Sequence, residues 1–62
     1  MSIYIFIREN GFYPLELEPF QGKTDDEVAI DNAKCNPGTL RVRKCVGKDD
    51  VRTIWVADKL KH

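Results

Sequence analysis

The sequence predicts an α+β domain in which one helix covers one face of a small, mostly antiparallel sheet, in the order β-β-α-β-β. Three observations carry this expectation. Strand-like stretches flank Asn10-Gly11, a capped acidic segment ends at Asn36-Pro37-Gly38, and two more strand-like stretches flank Gly47-Lys48-Asp49-Asp50. With 62 residues the chain accommodates one domain, residues 1–62, with a polar, fraying tail over 58–62.

Ile3-Tyr4-Ile5-Phe6-Ile7 is rich in β-branched and aromatic side chains and reads as the first strand. The second runs from about Phe12 to Phe20, where Leu15 and Leu17 alternate with Glu16 and Glu18. Pro14 and Pro19 cannot donate to a ladder, which places this strand at an edge. A two-residue Asn10-Gly11 loop would set the isoleucines on the glutamate face. A three-residue loop, Glu9-Asn10-Gly11, instead pairs Ile5 with Leu15 and Ile3 with Leu17. Hydrophobic consistency selects the longer loop. The expected core face is then Ile3, Ile5, Ile7, Leu15 and Leu17, and Tyr4, Phe6, Arg8, Glu16 and Glu18 point the other way.

Thr24-Asp25-Asp26-Glu27 is a capping box, and its carboxylates suit the positive end of a helix dipole. The helix runs to about Cys35, stopped by Asn36-Pro37-Gly38, with Val28, Ala29 and Ala33 on its inner face. Thr39–Val46 forms the third strand and Val51–Ala57 the fourth. An even loop between them puts Trp55 inside and Ile54 and Val56 outside, while an odd loop reverses the two. The pattern leaves both open.

Chemistry is sparse. Ser2 and His62 are the only serine and histidine, each at a chain end, so no hydrolytic triad can be assembled. Cys35 and Cys45 are too few for a disulfide framework and, with His62, do not make a zinc site. No phosphate-cradling glycine loop is present, and Asp25, Asp26 and Glu27 fan around a helix rather than converging. The expectation is a non-enzyme with no catalytic residue, cofactor or metal. Met1–Ile7 is apolar, but Arg8 and Glu9 follow at once, so no secretory signal or membrane span is expected; the cytoplasm, with both thiols reduced, is the expected location.

Charge is segregated along the chain. Residues 1–31 carry two basic against seven acidic side chains, a net −5, and residues 32–62 carry eight against three, a net +5. Such a dipolar domain suits oriented docking on another macromolecule. One helix covers only one face of the sheet, so the other face is the expected partner site. By this reading it holds Tyr4, Phe6, Arg8, Glu16, Glu18, Arg41, Arg43 and either Trp55 or the Ile54/Val56 pair. Aromatics and arginines dominate protein interfaces. The same aromatic-basic face could stack bases, which makes a nucleic-acid-binding module the alternative, although two glutamates there would repel phosphate. A structural homodimer pairing its open faces is a third reading.

The strand-turn-strand of Ile3–Phe20, the capped helix of Thr24–Cys35, the Asn36-Pro37-Gly38 stop and the strand Arg41-Val42-Arg43-Lys44-Cys45-Val46 together resemble the small host-takeover proteins of bacteriophages. The resemblance is greatest to the RNA polymerase inhibitor of T7-like phages; small anti-CRISPR proteins are similar in size and makeup. It implies an inhibitor that binds a host protein or nucleoprotein complex in the bacterial cytoplasm, as a monomer or weak homodimer. The two strand arginines that contact polymerase in that family fall on Arg41 and Arg43. Relative to that family, this chain adds the strand Val51–Ala57.

Overall fold

The computed structural model describes residues 2–58. Its elements are β1 (Ser2–Arg8), β2 (Gly11–Leu17), α1 (Asp25–Lys34), β3 (Thr39–Cys45) and β4 (Val51–Val56). The strands form one antiparallel sheet in the order β2-β1-β3-β4, with α1 packed on one side. Of the proposed tail, 59–62 lie outside the described residues. The second strand is shorter than its alternation suggests: it ends at Leu17, and Phe20 and Lys23 form a separate tight turn with two backbone hydrogen bonds of 3.0 Å.

The helix forms where its local signals put it. Thr24 Oγ1 accepts from the Glu27 amide at 3.2 Å, and the Thr24 amide donates back to Glu27 Oε1 at 3.2 Å, so both halves of the capping box are made. Thr24→Ala is therefore expected to cost about 1 kcal/mol, read as a lowered midpoint in urea. An unchanged midpoint would show that the cap contributes nothing to stability.

The faces of β1 differ from the expectation. Tyr4 and Phe6 are fully buried under α1, and Ile3 is 48% exposed on the opposite side. The β1–β2 turn is centred on Glu9-Asn10, pairing Arg8 with Gly11, Tyr4 with Leu15 and Ile3 with Glu16. Leu15 and Leu17 do pack against the core, as expected, but beside Tyr4 and Phe6 rather than the isoleucines. Volume explains the choice. Ala29 and Ala33 are the buried residues of α1, and their small side chains leave a gap that two rings fill and two isoleucines would not. Phe6 also stacks on Tyr13, with ring centroids 5.4 Å apart and planes 6° from parallel.

The β3–β4 pairing resolves the open alternative by using both registers. Val42 pairs with Trp55, but beyond a bulge Arg43 pairs with Thr53, so the extra residue Ile54 packs against the core together with Trp55. Val56 stays on the far face opposite Arg41.

Candidate protein-docking face

The uncovered side of the sheet is ordered in three rows that follow from the strand registers. Glu16, Ile3, Cys45 and Val51 lie across one row; Pro14, Ile5, Arg43 and Thr53 across the next; Phe12, Ile7, Arg41 and Val56 across the third. Along the strands this makes an isoleucine lane on β1 beside an arginine lane on β3. Alternate strand residues stand about 6.5–7 Å apart, and neighbouring strands about 4.8 Å. Ile3 and Phe12 are 48% and 72% exposed, whereas Ile5, Ile7 and Arg43 are half-buried among their neighbours.

Arg41, Arg43 and Glu16 thus occupy the face expected of them. Tyr4, Phe6 and Trp55 do not: the first two are sealed beneath α1 and Trp55 packs on the same core, so the aromatic half of the expected face lies behind the sheet. Arg8 is also displaced. Its partner in β3 is the buried Thr39, past an irregularity at Ile7/Arg8, and its Nη1 approaches Thr39 Oγ1 at 3.5 Å. The guanidinium lies so close over Gly38 that a Cβ there would stand 2.2 Å from Nη2. Glu18 is exposed beyond the end of β2.

Ile3, Ile5, Ile7 and Phe12 are the face residues that the sequence reading missed, while Val56, offered there as an alternative to Trp55, does lie on this face. A usable signal existed. Tyr4 buried beneath a helix needs a partner for its hydroxyl, and the acidic first turn of the helix supplies one.

That pairing fixes which side of the sheet the helix takes. The Tyr4 hydroxyl donates to Asp26 and the Ser2 hydroxyl to Asp25, and Lys44 Nζ lies 2.9 Å from Asp26 Oδ1 and 4.0 Å from Asp25 Oδ2. Burial, then the neighbouring Asp26 carboxylate, push the Tyr4 phenol far above its usual 10.0. The hydrogen bond from Tyr4, with Lys44 beside it, holds Asp26 below the usual 3.8; the bond from Ser2 does the same for Asp25. Lys44 is raised in turn, chiefly by Asp26.

The signs give a pH profile. Depressed carboxylates stabilise the fold above about pH 4 and lose that contribution as pH falls through their folded values. The raised phenol contributes fully below about pH 10 and loses its share above it, where the unfolded chain ionises first. A plateau in Tm between about pH 5 and 9 with a fall on each side is expected, and Tyr4→Phe should weaken both limbs. Tyr4→Phe melts that track the parent at every pH would show the contact to be silent.

Lys44 is occupied by these acids and Lys23 pairs with Asp31, whereas no ion pair among the described residues engages Arg41 or Arg43. Arg43 Nε is covered by its surroundings and meets no acceptor. Two guanidiniums without internal carboxylates, beside a lane of aliphatic side chains, form a surface that can pair with acids and bury apolar area at the same time. Among the described residues no group of three or more histidines, cysteines or acids is placed to hold a metal ion, and no helix is long and apolar enough to cross a membrane. Comparison with known protein families, with characterised proteins and with solved structures finds no match to this chain.

Proposed function

We propose that this protein is a small non-enzymatic inhibitor of phage type that binds a host protein complex through its open sheet face, with RNA polymerase or a CRISPR surveillance complex as the target. The observation that carries the reading is the arrangement of Ile3, Ile5 and Ile7 alongside Arg41 and Arg43, which have no ion-pair partner within the described chain. A partly exposed apolar strip beside arginines is the composition of a protein interface. The phage resemblance supplies the kind of target. The nucleic-acid alternative relies on aromatics for stacking, and of the strand aromatics Phe12 alone stands on the open face.

The test titrates the protein into purified bacterial RNA polymerase in a transcription assay, and into a purified CRISPR surveillance complex in a DNA-binding assay. Co-elution is measured after nuclease treatment. Stoichiometric inhibition of one complex with nuclease-resistant co-elution is expected. Co-elution that vanishes with nuclease would transfer the function to nucleic acid, and no effect on either complex would remove both targets.

A further inference from the structure

Resting on that reading, we infer that the element seated on the open face is an acidic amphipathic helix, with its apolar stripe on Ile3, Ile5 and Ile7 and carboxylates one turn apart over Arg41 and Arg43. The face presents side chains rather than an open strand edge, because β1 and β3 are each paired on both sides, with irregularities only at Ile7/Arg8 and Val42/Arg43. An extended segment laid across it would bury its own amides and carbonyls without partners. A helix satisfies its backbone internally. It is also the right width: a cylinder of about 10 Å spans two strands spaced about 4.8 Å apart, here β1 and β3.

Spacing and charge complete the match. Residues i and i+4 of a helix are separated by about 6 Å along its axis, close to the 6.5–7 Å between alternate strand residues such as Arg41 and Arg43. The opposite face of this sheet already carries a helix, α1, whose Asp25 and Asp26 meet Lys44 of β3. A second copy of the chain fits poorly. Stacking two open faces would bring four arginines into one layer with a single Glu16 from each copy to offset them.

The experiment uses two fluorescein-labelled, stapled helices of about 15 residues with one leucine stripe. The first has glutamates at i and i+4 on the flank of the stripe; in the second both are glutamine. Polarisation titrations against the whole protein are paired with amide-shift mapping by NMR. The glutamate probe is expected to bind at least about tenfold more tightly than the glutamine probe, with shifts centred on Ile3–Ile7 and Arg41–Arg43. Arg41→Ala with Arg43→Ala should erase the difference. Equal affinities, shifts on the α1 side, or no binding of either probe at ~1 mM would overturn the helical occupant. Failure here with a host complex still inhibited would leave the proposed function standing. A probe result as expected with no complex inhibited would do the reverse.

Discussion

Phe6→Ala is expected to abolish cooperative folding at room temperature. The phenyl ring is fully buried between the sheet and α1 and stacked on Tyr13. Removing such a ring costs about 3–5 kcal/mol through lost burial and the cavity that remains. A domain of 62 residues is stable by only about 3–9 kcal/mol. Ile5→Ala, one position away, is the paired control. Ile5 is half-buried on the uncovered face, so its truncation should lower the urea midpoint only modestly and leave one cooperative transition. Circular dichroism in urea on both variants decides the matter. A folded Phe6→Ala protein beside a collapsed Ile5→Ala protein would mean that the sheet buries its other side.

The second large effect is on binding. Arg41→Ala with Arg43→Ala is expected to leave the melt nearly unchanged, since neither guanidinium has a hydrogen bond or ion pair to lose among the described residues. Target affinity should fall by at least about tenfold, or ~1.4 kcal/mol. Replacing both with lysine should give an intermediate loss, because the charge remains while the two-pronged geometry that matches a carboxylate is gone. Equal affinity for the parent, double-alanine and double-lysine proteins would exclude the two arginines from the interface. A loss confined to the alanine variant, with lysine fully active, would show that charge alone is recognised.

What could be read from the chain depended on how unambiguous each local signal was. The helix was legible because Thr24 and Glu27 name its start, Asn36-Pro37-Gly38 names its end, and no tertiary contact is needed to interpret either. The side of β3 was legible because Arg41 and Arg43 alternate with Leu40 and Val42, so one facing buries the aliphatic pair and keeps both arginines away from the helix. In β1 the same logic has nothing to grip: from Ile3 to Ile7 every residue is apolar or aromatic, and neither parity is marked by charge. The tie is broken by volume and by one hydroxyl. Ala29 and Ala33 leave room for rings, and Asp26 stands where the Tyr4 phenol arrives. Both facts depend on residues more than twenty positions away. The turn was misread for a related reason, since Asn10-Gly11 signals a hairpin without fixing which two residues form its tip, and the chain centres it on Glu9-Asn10. The bulge at Ile54 is likewise a product of packing, and no residue type near it announces an inserted position.

The alternation along β1 has an evolutionary consequence. Tyr4 and Phe6 answer to the interior, whereas Ile3, Ile5 and Ile7 answer to whatever meets the surface. Two selective pressures are therefore written into one heptapeptide in alternate letters. Substitution at the odd positions rewrites the uncovered surface, while the even positions keep the chain folded. A strand built this way separates what the fold must keep from what the surface can revise, at single-residue resolution.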